Sequence, residues 1–236
     1  MKKVLFILIS FSLFFAACEK DKTTSTTKNT RLKTYAYKAG VVDYLYKISY
    51  NSFNKIDKVE WHSNGALLQT YYCVYNSDQS LDSLIQRRPD NSLYLRMNID
   101  CKNFKITKVG YDEITYNSNN LVSSFVTSSS EDTYEYFTDS VRLKSLSKVS
   151  FITSRFTYVL SNSIKNPFLF TGFEKEAYLS DYIFYTISGA LSFMPYAYIQ
   201  LQGVTNITYA YDGNFNGYPL KRISDNGTEI FTYEEF

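Results

Sequence analysis

Histidine is nearly missing from this chain of 236 residues: His62 is the only one. A multi-histidine metal site is therefore excluded, and a Ser/His/Asp or Cys/His catalytic set would have to use that one imidazole. No H-E-x-x-H, Walker A or G-x-G-x-x-G string occurs, so the residues behind those metal and phosphate chemistries are not there. His62 follows Trp61, at an expected strand end before Asn64-Gly65, and reads as a surface residue. No catalytic residue, metal ligand or cofactor is assigned. A basic excess is lacking too. Lys2 and Lys3 account for the whole formal charge of +2, and without them the chain is neutral, against the habit of nucleic-acid binders. Glycine and proline are scarce, at nine and four.

What is present begins with an address. Met1, Lys2 and Lys3 make a short positive region, Val4 to Phe15 is apolar except for Ser10 and Ser12, and Ala16-Ala17 lead into Cys18. That is the layout of a secretion signal over residues 1–17, and the cysteine after two small residues makes it a lipoprotein signal. The apolar run is too short to span a bilayer as a mature helix, which takes about 20 residues. Cys18 is the expected lipidation site and the partner of a membrane, since two or three acyl chains hold far better than one. Glu19 to Arg31 are polar and Thr-rich, and residues 18–33 read as the lipidated cysteine and a flexible tether. Residues 34–236 then form a single domain, long enough for a core of its own.

Aromatics make up 18 % of the chain, with 23 Tyr and 18 Phe, and such residues suit pleated, half-buried strands. Sugar stacking or a membrane-interface belt would use the same tyrosines. A unit recurs along the chain: Tyr50-Asn51-Ser52 before Ile56, Tyr75-Asn76-Ser77 before Leu81, Tyr116-Asn117-Ser118 before Leu121, and Tyr211-Asp212-Gly213 before Leu220. Ile56, Leu81 and Ile106 stand 25 residues apart. Each unit reads as a strand, a turn and a returning strand of a meander. Asn64-Gly65 and Asn226-Gly227 are the strongest hairpin signals. Further strands are expected at Thr133–Phe137, Lys148–Leu160, Ala197–Gln202, Asn206–Tyr211, Leu220–Ser224 and Thr228–Tyr233.

Over Leu93–Cys101, Leu93, Leu95, Met97, Ile99 and Cys101 alternate with Tyr94, Arg96, Asn98 and Asp100. A period of two puts all five on the core side, with Arg96 and Asp100 outward. Cys73 and Cys101 then lie two strands apart, about 9.5 Å at the usual strand spacing, beyond the roughly 7 Å a disulfide spans. Residues 161–196 break the pattern and read as an irregular or short helical insertion. The overlapping segment Tyr182–Ile199 has no charge, but Gly189, Pro195 and its tyrosines speak against a transmembrane helix.

Paired carboxylates could still serve a glycosidase. The candidates are Glu131-Asp132, Glu174, Glu176, Asp181 and Glu234-Glu235, all expected in loops, at edges or near the end of the chain, where acids are ordinarily solvated. Asp82-Ser83-Leu84 and Asp139-Ser140-Val141 match a short O-glycosylation pattern known in Bacteroidota, and Ser83 and Ser140 would be the acceptors.

The Tyr-Asn/Asp turns followed by strand pairs resemble the tyrosine–aspartate repeats of Rhs-type proteins. They resemble still more a Bacteroidota lipoprotein family of unknown function with a porin-like half-barrel fold. Tyr209-Ala210-Tyr211-Asp212, Asn216-Gly217-Tyr218-Pro219-Leu220-Lys221, Asn226-Gly227 and Phe231-Thr232-Tyr233 carry the likeness, with Asn166-Pro167 beside them. Lys20-Asp21 also resembles the surface-export signal of such lipoproteins, with Lys22 where a second acid usually stands. The resemblance implies fold and compartment and supplies no active site.

The expected protein is all-β: a strongly curved antiparallel meander, an open half-barrel, on an outer-membrane lipid anchor facing the periplasm or the cell surface. Its expected role is non-enzymatic binding or scaffolding toward a hydrophobic ligand, a glycan or a protein. The alternatives are a carrier of lipid in the concavity, with Tyr182–Ile199 as its lid, and a carbohydrate-active enzyme.

Overall fold

The computed structural model describes residues 29–102, 105–119, 122–136, 143–149, 154–165, 196–202, 207–208 and 210–236. Its strands are β1 (Thr30–Ala39), β2 (Val42–Tyr50), β3 (Ile56–Ser63), β4 (Ala66–Tyr75), β5 (Leu81–Arg87), β6 (Leu93–Lys102), β7 (Lys105–Val109), β8 (Asp112–Tyr116) and β9 (Val122–Val126). They continue as β10 (Glu131–Tyr136), β11 (Leu143–Val149), β12 (Ser154–Lys165), β13 (Tyr196–Gln202), β14 (Ile207–Thr208), β15 (Ala210–Phe215), β16 (Tyr218–Ser224) and β17 (Gly227–Glu235). Each strand from β1 to β14 pairs antiparallel with the next, and β15, β16 and β17 do the same. β1 also pairs with β17, so the first and last strands are neighbours. β14 is held on β13 by two residue pairs, and β15 pairs with β16. The ladder thins at that point, and the sheet is an open, strongly curved half-barrel. No helix occurs among the described residues.

One device repeats along the sheet. Tyr50, Tyr75, Tyr116 and Tyr136 each end a strand directly after a register shift. Such bulges sharpen the local twist and bend the sheet. Each hydroxyl then donates back to a carbonyl at the start of the preceding strand: Tyr50 to Leu32 (2.5 Å), Tyr75 to Ile56, Tyr116 to Ile106 and Tyr136 to Val122 (2.7 Å each). Tyr233 does the same to Pro219 at 2.7 Å. Arg31, Lys55 and Lys105 lie over the rings of Tyr50, Tyr75 and Tyr116. The residue after each cation, Leu32, Ile56 or Ile106, is at most 1 % exposed. Together these contacts close five strand pairs at one end of the sheet, the lower end below, and in the β5–β6 pair the Cys101 thiol donates to the Leu81 carbonyl at 3.4 Å instead. The 25-residue spacing of Ile56, Leu81 and Ile106 thus marks the floor of one continuous core.

The Asn64-Gly65 turn forms as read, with both residues at positive φ. At the other hairpin the loop is Asp225-Asn226, and Gly227 opens β17. Only glycine fits there, because a Cβ would run into the Lys38 carbonyl oxygen.

The sheet differs from the sequence reading in several places. β1 starts at Thr30 and buries Leu32 completely, so Thr30–Lys33 belong to the fold and not to the tether. Lys148–Leu160 is not one strand, because β11 ends at Val149 and β12 begins at Ser154. Residues 166–195, most of the expected insertion, lie outside the described residues, and Tyr196–Ile199 belong to β13. No helix of the described residues is long and apolar enough to cross a membrane.

The largest correction concerns β6. Ile99 is buried, and Met97 and Cys101 pack against the core, but Leu93 and Leu95 are 55 % and 42 % exposed. β7 is short and pairs only with Ile99–Lys102. The upper half of β6 therefore runs on beside β5 alone, with a register shift at Arg87↔Leu93. Periodicity names a side of the sheet and not what covers it. Leu95→Ala is accordingly expected to cost less than about 1 kcal/mol, against 2–5 kcal/mol for Ile99→Ala, in urea melts of the two variants. Arg96 is exposed as expected, donating to Ser83 Oγ at 3.3 Å and lying 3.6 Å from Asp82.

Candidate functional site

The core side of the sheet carries one unbroken row of rings. Pairing places Phe231 of β17, Tyr35 of β1, Tyr46 of β2, Trp61 of β3 and Gln69 of β4 side by side across five strands. Ring centroids are 5.6 Å apart from Phe231 to Tyr35, 5.5 Å from Tyr35 to Tyr46 and 6.0 Å from Tyr46 to Trp61, the last pair within 6° of parallel. Tyr44 meets Trp61 edge-on at 5.7 Å. Offset stacks of this kind add about 0.5–1.5 kcal/mol per pair beyond burial. Phe231, Tyr35 and Tyr46 are buried, whereas Trp61 and Tyr44 are half-buried.

At the Trp61 end the row becomes polar. Tyr71 donates to Gln69 Oε1 at 3.1 Å, and the Gln86 amide donates to the same oxygen and to the Tyr71 hydroxyl. Burial pushes the Tyr71 phenol up to about 12, so it stays a donor across the physiological range. The indole N–H of Trp61 is buried and has no hydrogen-bond partner. An unmet buried donor costs about 1–3 kcal/mol. Leu95 pairs with Gln86 on the same face and is exposed.

Toward the Phe231 end lies a buried ion pair. Arg222 and Glu229 face each other across β16 and β17, at 4 % and 7 % exposure. The guanidinium donates Nη2–H to Glu229 Oε1 at 2.5 Å and Nε–H to Oε2, and the Tyr35 hydroxyl donates to Oε1 at 3.0 Å. The sequence reading singled out neither residue. The signal was there: alternation puts Glu229 on the face of Phe231 and Tyr233.

The residues that reading did single out fall elsewhere. His62 is on β3 and points away from the core between its register partners Leu45 and Leu67. Its side chain is 15 % exposed, less than a loop residue would be, and Nε2 stands 3.5 Å from Glu60 Oε2. Glu60 is held below the ordinary carboxylate range chiefly by its hydrogen bond from Lys58. Glu131 and Asp132 start β10, the first exposed and the second buried, while Glu234 and Glu235 close β17 at the lower end. The structure does not bring these acids together with Glu229. Ser83 is fully buried and donates to Asp82 at 3.1 Å, so it offers no surface hydroxyl. Cys73 and Cys101 stand on β4 and β6 with β5 between them, and no disulfide joins them. Cys18, Ser140, Glu174, Glu176 and Asp181 lie outside the described residues. No group of three or more His, Cys, Asp or Glu suited to a metal ion is found among the described residues.

Neither family models nor curated proteins match the sequence. Solved structures do match. A porin-like protein from Bacteroides uniformis superposes with a TM-score of 0.56 at 13 % identity, over 86 % of this chain and 98 % of that one. A porin-like protein from Bacteroides vulgatus gives a TM-score of 0.45 at 14 % identity, over 87 % and 99 %. A chain of the TcdB2-TccC3-Cdc42 structure gives 0.33 at 10 %, over 85 % of this chain and 15 % of that one. The first match shows that the chain shares the fold of a Bacteroides porin-like protein.

Proposed function

We propose that this chain is an outer-membrane lipoprotein, anchored through Cys18, that binds a ligand on the aromatic core side of its half-barrel without transforming it. The aromatic row ending at the unmet Trp61 N–H carries the reading. The half-buried rings of Trp61 and Tyr44 offer an apolar platform at the open end of the row, and the half-buried Gln69 amide beside Trp61 offers directional contacts, with the unmet indole N–H behind it. Glu229, a buried carboxylate of this face, is occupied by Arg222 and Tyr35, and the reading includes no acid–base step. The envelope location is supported by the signal sequence before Cys18 and is in keeping with the porin-like likeness of fold.

A carrier of hydrophobic ligand is the second reading. The exposed Leu93 and Leu95 beside Gln86 favour it. Trp61 is the only tryptophan, so its emission reports on the site directly. Maltoheptaose and oleate, titrated separately, stand for the glycan and hydrophobic classes. At least one should change Trp61 emission saturably, and Tyr44→Ala should weaken that response while the circular dichroism spectrum is kept. No response to either probe would contradict the site.

A further inference from the structure

The five-residue turns of this fold allow an internal comparison. Turns 51–55, 76–80 and 88–92 share one hydrogen-bond frame, from the first N–H to the fifth carbonyl and from the fourth N–H to the first carbonyl. Their fourth residues, Asn54, Gln79 and Asn91, all have positive φ. In two of them the third residue is an aspartate that caps the turn: Asp78 accepts from Ser80 N–H and Asp90 from Ser92 N–H, both at 2.9 Å. In the first turn that position is Phe53, the capping role passes to Asn51 Oδ1, and the Phe53 ring is 62 % exposed. A phenylalanine held out in water where the fold elsewhere uses aspartate has no role in the turn.

Phe53 is at the lower end, where the described chain begins. Asn29 and Phe236 exchange backbone hydrogen bonds there (3.2 and 3.0 Å). Arg31 ties the two aromatics into one rigid corner: Nη1–H donates to Asn54 at 2.9 Å, and the guanidinium lies 4.8 Å from the Phe236 ring, itself 43 % exposed. Ten residues, 19–28, separate Cys18 from Asn29. Even fully extended they reach about 35 Å, and a coil of that length spans about 17–19 Å on average. The ten-residue strands are themselves roughly 33 Å long. A bilayer holding Cys18 therefore meets the lower end first, and the upper end only if the link is stretched to its limit.

We propose that the lower corner rests on the lipid surface, with Phe53 and Phe236 entering the interface and fixing the half-barrel upright, its upper end away from the bilayer. This rests on the lipid anchor at Cys18. Aromatic side chains settle at such interfaces, typically within about 5–10 Å of the headgroup–acyl boundary.

The test uses the lipidated chain, purified from a Gram-negative host and reconstituted into phosphatidylcholine vesicles, and in parallel the unlipidated chain from residue 18, with Cys73→Ala and Cys101→Ala so that Cys18 is its one thiol, coupled through Cys18 to a maleimide lipid. Phe53→Trp and Tyr111→Trp are compared with the wild type, whose Trp61 supplies the background. Tyr111 is fully exposed in the β7–β8 turn, level with Asn98 midway along β6 and so more than about 13 Å above the lower end. On both anchors the emission added by Phe53→Trp should move to shorter wavelength and be quenched by brominated phosphatidylcholine, and that added by Tyr111→Trp should not. Phe53→Asp, the residue used in the other turns, should melt at or above the wild-type temperature, showing that the ring does not serve the fold. An unquenched Trp at 53 on either anchor, or equal quenching at 53 and 111, overturns the proposal while leaving the anchor intact. A host-made chain without acyl groups overturns the anchor and the proposal with it.

Discussion

Glu229→Ala is expected to destabilise the protein by about 3–5 kcal/mol, the usual result of removing one partner of a buried ion pair. The substitution takes away the carboxylate that receives two hydrogen bonds from Arg222 and one from Tyr35. The guanidinium, 4 % exposed in the native state, would lose that pairing without gaining water. Glu229→Gln keeps an acceptor for Tyr35 and loses the charge, so its cost should fall in between. Replacing both members with apolar residues, Arg222→Met with Glu229→Leu, should recover much of the loss, because desolvating the pair is itself costly. Urea melts of the four chains check the order. A Glu229→Ala chain within about 0.5 kcal/mol of wild type, as an ordinary surface change would be, would contradict the placement of this pair.

The second large effect is expected at the floor of the core. Leu81 is fully buried, opens β5 and pairs with Tyr75. Leu81→Ala should cost about 2–5 kcal/mol, the transfer free energy of the lost carbons plus the cavity they leave. Leu68→Ala, of the same chemistry but 37 % exposed on β4, should cost under about 1 kcal/mol. The same melts read both, and similar losses at the two positions would mean that the core does not lie where the closing tyrosines put it.

Fold class was legible because the meander is built from local signals. Tyrosine at the end of a strand, an Asn- or Asp-rich turn and an aliphatic residue on the return repeat often enough to be read from the chain alone. The start of β1 was not legible: Thr30–Lys33 are mostly polar, and the register shift between Leu32 and Thr34 breaks the alternation that would have exposed the strand. Leu93 and Leu95 were misplaced for a different reason, since their exposure follows from the shortness of β7 and not from anything in β6. The aromatic row needed pairing across five strands, and each bulge displaces register by one residue. Tyr35, Tyr46 and Trp61 are 11 and 15 residues apart along the chain, intervals that carry no pattern until the turns between them are known. Arg222 and Glu229 flank a single hairpin, and that pair could have been found from the sequence.

The central claim, a half-barrel held on the membrane through the residue after its signal, is tested most directly by Cys18→Ala. Both forms would be expressed in a Gram-negative host and fractionated, and the membranes washed with high salt. The wild type should stay with the membranes, its N-terminal peptide carrying acyl mass on Cys18, and the variant should appear in the soluble fraction. A Cys18→Ala chain retained on washed membranes as fully as the wild type would contradict the account.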